Sequence, residues 1–263
     1  MKSSLGAKEE QSKEREVAMK SLEAAIRHVG HSLAELWSVN IDQAVEVGSK
    51  VKEEYLDELI WTTHDIEEVS RGIPLQDMAL LQELDLQAIR NAALLLKERM
   101  SSKPELFGVP GYEHNDTNPE NLFFDANKDH LTLIDTEGLL KSVGKNGNPI
   151  GFPIRDKIGF GENSLPQYGF MKGLTEEEVR SLIPVFHDAY NSAISPTEKR
   201  KGPLCSADAV NMMMLAKHSG ATLSIFLKLK DGREIPERLR LHLAYEVAEI
   251  KAIVKKIEAT RTV

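Results

Sequence analysis

Residues 112–138 read YEHNDTNPENLFFDANKDHLTLIDTEG. Two short β-prone runs, 121–125 (NLFFD) and 130–134 (HLTLI), flank 126–129 (ANKD), whose composition is that of a hairpin turn. A loop, a hairpin and a second loop in this order bring Asp116, Asn121 and Asp135 to one end of the ribbon. That arrangement suits phosphoryl transfer. One carboxylate orients a hydroxyl, while an amide oxygen and a second carboxylate hold Mg²⁺ against the phosphates of a nucleotide.

The rest of the 263-residue chain has the balance of a globular protein, with 41% hydrophobic and 28% charged residues. Lys plus Arg number 33 and Asp plus Glu 41, a net charge of −8. An acidic chain is a poor non-specific nucleic-acid binder, but a metal ion supplies the positive charge that a nucleotide needs. No apolar run approaches the roughly 20 residues of a membrane span. The single cysteine, Cys205, excludes an internal disulfide and a cysteine-based zinc site and fits a reducing, cytoplasmic compartment. The polar N-terminus, MKSSLGAKEEQSKERE, lacks the hydrophobic core of a secretory signal, although a secreted effector with a polar leader has the same composition.

Before the hairpin the pattern is helical. Met19, Leu22, Ile26, Val29, Leu33 and Leu36 step by three and four and predict a helix over 16–37, after a flexible stretch at 1–15. Second and third helices are predicted over 41–70 and 75–100, and 16–73 reads as a helical hairpin extension that offers a face to a protein partner. After the hairpin, residues 139–170 are rich in Gly, Asn and Pro and read as irregular. Thr175-Glu-Glu-Glu178 is a capping box opening a helix to about 193. A helix over 207–218, an apolar run of either helical or extended form at 223–229, and a last helix over 236–259 complete the chain. The eight histidines contain no H-E-x-x-H zinc pattern, and Met212-Met-Met214 reads as core.

His114-Asn-Asp116-Thr-Asn-Pro-Glu-Asn121, followed by Ile134-Asp135-Thr-Glu137, resembles the catalytic core of the aminoglycoside phosphotransferase and choline kinase branch of the protein-kinase-like superfamily. The resemblance implies a mainly α fold with a small β-hairpin, a kinase-like C-terminal lobe over 74–263 preceded by the helical extension. It implies Asp116 as the catalytic aspartate, Asn121 and Asp135 as the residues that hold Mg²⁺ and, through it, ATP or another nucleotide, and Glu137 as a further metal-proximal group. His114 and Asp156 are implied as structural supports, the latter bracing the catalytic loop through backbone amides.

The chain departs from that branch in its first half. A kinase-like enzyme has a β-rich lobe with a glycine-rich loop and a strand lysine, and nothing before Asp116 reads that way. Thr136 also stands where the branch has an aromatic residue. The expected activity is therefore transfer of a phosphoryl or nucleotidyl group from a Mg-nucleotide to a hydroxyl of a small molecule or protein. The alternatives are a catalytically inactive kinase-derived scaffold that binds a protein through its helices, and a plain helical interaction protein. A truncated piece of a larger kinase has the same pattern.

Overall fold

The computed structural model describes residues 2–38, 49–72, 84–101, 103, 111–114, 116–125, 127–128, 130–137, 139, 154–194, 205–231 and 233–260. Three helices come first: α1 (Lys2–Ser38), α2 (Ser49–Ser70) and α3 (Leu86–Ser101). A 3₁₀ turn (Pro119–Asn121) leads into β1 (Leu122–Asp125) and β2 (His130–Leu133). One helical run follows in three parts, α4 (Ile154–Ile158), a π turn (Gly159–Ser164) and α5 (Leu165–Met171). Then come α6 (Glu176–Ile194), α7 (Ala207–Lys230) and α8 (Glu237–Ala259). The fold is mainly α with one small antiparallel hairpin. None of the described helices is long and apolar enough to cross a membrane.

The helices form two packed groups. In the first, α2, α3, α7 and α8 share a core that includes Leu59, Ile66, Leu96, Met212, Phe226 and Ile250. In the second, α1 lies along α6 and buries Ile26, Val29 and Leu33 against Leu182, Phe186 and Tyr190. The run from α4 to α5 joins the two. Ile154 and Ile158 of α4 belong to the first core, whereas Phe160 and Leu165 belong to the second. The π turn makes this possible. Its Leu165 N–H bonds back to Phe160 O, one residue further than in an α-helix, which rotates the face that follows.

Two glycines are needed where helices touch. A Cβ at Gly161 in the π turn would stand 2.8 Å from Phe186 Cδ1. A Cβ at Gly30 of α1 would stand 2.9 Å from Phe186 O and 3.0 Å from Tyr190 N, both backbone atoms that cannot swing aside. Gly30→Ala is therefore expected to push α1 off α6 and cost about 1–3 kcal/mol, read as a lower urea midpoint.

Several boundaries differ from those the pattern predicts. Residues 2–15, expected to be a flexible terminus, continue α1, because Ala, Lys, Glu and Gln there are strong helix formers with no proline among them. Among the described residues the helix before the hairpin begins at Leu86. Asp85 accepts from Ala88 N–H at 2.9 Å, and this side-chain cap sets the start. The predicted starts at 41 and 75, the polar loop at 195–203 and most of 139–153 lie outside the described residues. The end of the irregular stretch, 154–170, is helical despite Gly159-Phe-Gly161, and Gly161 is the contact point with Phe186 just described. The expected helix over 207–218 and the ambiguous 223–229 are one helix, α7, which runs through Gly220.

The capping box at the start of α6 is present in both directions. Glu178 accepts from Thr175 N–H at 2.8 Å, and Glu178 N–H donates to Thr175 Oγ1 at 3.2 Å. Arg15 of α1 adds two bonds to the same carboxylate, at 2.7 and 2.6 Å. The Arg15 guanidinium first, and the Thr175 N–H second, hold the Glu178 carboxyl down to about 2.

Candidate functional site

The hairpin sets the register of the site. Leu122 pairs with Leu133, Phe123 with Thr132, Phe124 with Leu131 and Asp125 with His130. Alternation then puts Leu122, Leu131 and Leu133 on the face packed into the α1–α6 core, and Phe124 stacks on His28 of α1 at 4.9 Å. The opposite face is open: Phe123 is 57% exposed and Ile134 is also exposed. At the turn, Asp125 accepts from Asn127 N–H at 3.0 Å, a local Asx turn that closes the hairpin.

Two loops leave the other end of the ribbon, and buried groups anchor both. His114 is 1% exposed, and its Nε2–H donates to Ile134 O at 2.9 Å, tying the first loop to the second. The His114 backbone N–H donates to the carboxylate of Asp156, which is 4% exposed on α4. A further bond, Ile134 N–H to Asn121 O at 3.0 Å, closes the base of the hairpin. The loop carrying Asp116 thus rests on a buried anion at the junction of the two cores. Removing that anion leaves a buried N–H without its acceptor, so Asp156→Ala is expected to lower stability by about 1.5–3 kcal/mol. A chemical-denaturation curve beside the milder Asp156→Asn checks it.

Asp116 is held by amides. Asn121 Nδ2 donates to Asp116 Oδ2 at 3.0 Å and to Asp116 O at 3.1 Å. Asn118 Nδ2 donates to Asp116 Oδ1. The structure therefore brings Asp116 and Asn121 into contact. Asp135 follows Ile134 directly, so its backbone lies beside Asn121, and it adopts a left-handed conformation with φ = 56°. It is the one described non-glycine residue with positive φ, a conformation that costs free energy and that Asp tolerates better than most residues. Asp135 and Glu137 are exposed.

Three His, Cys, Asp or Glu side chains with ligand atoms within 4.8 Å of one another occur once among the described residues, at the exposed His64, Asp65 and Glu68 of α2. Asp116, Asp135 and Glu137 do not form such a trio. What the hairpin brings together is of another kind: the Asp116 carboxylate with the amide of Asn121, and beside them the strand end that Asp135 follows. Because Nδ2 of Asn121 is committed to Asp116, its carbonyl oxygen is the atom with ligating chemistry. Carboxylate and amide oxygens are hard donors of the sort Mg²⁺ takes while keeping several waters.

Sequence reasoning missed two further parts. Asn118 sits two residues after Asp116, where an Asx side chain reaches back to its neighbours, so local spacing was a usable signal. Ser164 Oγ donates to Asn118 Oδ1 at 3.4 Å, which links the π turn to the Asp116 loop, and nothing in the glycine-rich sequence around it points there. Only one sheet, of two strands, is present among the described residues. No protein-family model matches the chain, and neither a curated protein nor a solved structure is significantly similar to it.

Proposed function

We propose that this chain is a kinase-like phosphotransferase that moves a phosphoryl group from a Mg-nucleotide to a hydroxyl. The observation that carries the reading is the Asp116 carboxylate, gripped by the amides of Asn118 and Asn121 in a loop whose backbone hangs on buried Asp156. A carboxylate fixed in this way orients an acceptor hydroxyl and takes its proton as the bond to phosphorus forms. Asn121 and Asp135 are the residues that would hold Mg²⁺, with Glu137 near them. Bound there, the ion would neutralise charge on the nucleotide phosphates. The exposed face of Phe123 and Ile134 offers apolar surface beside these residues.

A calorimetric titration with ATP tests the reading. Binding is expected with Mg²⁺, to be lost in EDTA, and to be lost in Asp135→Ala. Absence of binding at millimolar nucleotide would sink it for this chain alone. A second reading, an inactive scaffold that binds a protein through its helices, draws support from Trp61, which is 71% exposed on α2. On that reading Trp61→Ala weakens partner capture and Asp135→Ala has no consequence.

A further inference from the structure

We propose that the open cleft beside the Asp116 loop is the acceptor site, and that it takes a neutral polyhydroxylated small molecule such as a sugar or cyclic polyol. The fate of the bound hydroxyl rests on the phosphotransferase reading, whereas the binding does not.

The cleft lies between the loop residues 118–120 and α5, and its volume of about 460 Å³ falls in the range of small-molecule pockets, about 300–1,000 Å³. Asn118 is the wall it shares with the reactive group. The same amide that forms the cleft donates to Asp116 Oδ1 and accepts from Ser164 Oγ, so a molecule in the cleft is separated from Asp116 by a single side chain.

The lining chemistry is that of hydroxyl recognition. The Glu120 carboxylate and the Gln167 amide present planar acceptors and donors, which match pairs of neighbouring hydroxyls. Tyr168 and Met171 supply the apolar surface on which the C–H face of a sugar ring rests. Charge narrows the choice. Glu120 and Lys172 are the two charged side chains in the lining, and they cancel. Lys172 Nζ, moreover, stands 5.1 Å from the centre of the Tyr168 ring. A cleft with no excess of carboxylates does not concentrate a polycation, and one with no excess of cations does not concentrate an anionic ligand.

Saturation-transfer NMR on the full chain tests this, with EDTA present and nucleotide absent. The probes are myo-inositol, D-glucose, D-ribose, choline, a polycationic aminosugar and a serine-containing peptide. Transfer to at least one neutral polyol is expected, with affinity about three- to tenfold weaker in Gln167→Ala and in Tyr168→Ala. Both positions are at the surface or half-buried, so the fold tolerates the change, and a thermal melt of each variant verifies it. The proposal is overturned if no neutral polyol receives transfer, if transfer is confined to choline, the aminosugar or the peptide, or if it persists undiminished in both variants. Polyol binding without nucleotide binding would defeat the phosphotransferase reading and leave this site standing. Nucleotide binding without polyol binding would do the reverse.

Discussion

Glu246→Ala is expected to destabilise the fold by about 3–5 kcal/mol, enough to unfold a protein of ordinary stability at physiological temperature. Glu246 is 0% exposed on α8 and accepts from two imidazoles. His218 Nδ1 of α7 lies 2.6 Å from one carboxylate oxygen, and His242 Nε2, one turn earlier on α8, lies 2.6 Å from the other. The carboxylate thus joins two buried histidines. Phe170 stacks on His242 at 5.7 Å, and Tyr245 meets the His218 ring edge-on at 6.2 Å. Truncating Glu246 strands both rings in an apolar pocket, where an imidazole without an acceptor has lost water and gained nothing. A urea-denaturation curve measures the loss. Glu246→Gln keeps one acceptor oxygen and is expected to lose less than Glu246→Ala.

The same cluster gives stability a pH dependence. Burial opposes the charge on His218, but the Glu246 carboxylate, helped by Glu162 and Glu249, prevails and raises its pKa above the ordinary 6.5. Burial likewise opposes the charge on Glu246, and His218 followed by His242 prevails and lowers its pKa below 4.5. A raised histidine pKa contributes stability that is complete below 6.5 and is lost as pH climbs through the folded value. A lowered carboxyl pKa contributes stability that is present above 4.5 and is lost as pH falls through the folded value. The contribution of the cluster is therefore greatest between about pH 4.5 and 6.5. In Glu246→Ala that part of the pH dependence of the denaturation midpoint disappears.

Asp116→Ala is expected to lower Mg-dependent ATP turnover, with water or a polyol as acceptor, by about 10²–10⁴-fold, the usual contribution of a positioned base. Nucleotide affinity is expected to change little, because Asp116 is assigned to the hydroxyl and Asn121 and Asp135 to the metal. The split distinguishes chemistry from binding. Asn121 donates to Asp116 and Asn118 does the same, so the variant also frees both amides to turn. Asp116→Asn, with an amide oxygen that still accepts, is the control for that rearrangement. Loss of turnover in both variants with nucleotide binding intact assigns the effect to the carboxylate charge.

Which parts of this structure the sequence discloses follows from the range of the interactions involved. The hairpin is local: its strands are four residues each, separated by a short turn, and the alternation of Leu131, Thr132 and Leu133 is visible on its own. The helical stripes of α1, α6 and α8 are visible for the same reason. The π turn is not, because Gly161 looks like a loop residue until Phe186 and His187 are packed against it. The single helix α7 reads as two pieces because Gly220 interrupts the pattern while tertiary packing carries the helix through. At the site, Asp116, Asn118 and Asn121 lie within five residues and their contacts follow from turn geometry. The bond from His114 to Asp156 spans 42 residues and rests on packing between α4 and the loop, so local pattern gives no sign of it, and only the family resemblance implies Asp156 as a brace of the loop's backbone amides. The Glu246 cluster hides in the same way. His242 and Glu246 share a helix face at i, i+4, but His218 comes from α7, 28 residues away.

Paramagnetic Mn²⁺ is the most direct probe of the claim that the two loops at the end of the hairpin hold a metal with its nucleotide. Backbone amide resonances are followed as Mn²⁺ is added in small amounts in the presence of ATP. Broadening is predicted to centre on residues 121–122 and 134–137, to require ATP for its full extent, and to vanish in Asp135→Ala. Broadening that centres instead on His64, Asp65 and Glu68, or that spreads without preference over the acidic surface, would contradict the assignment of Asn121 and Asp135.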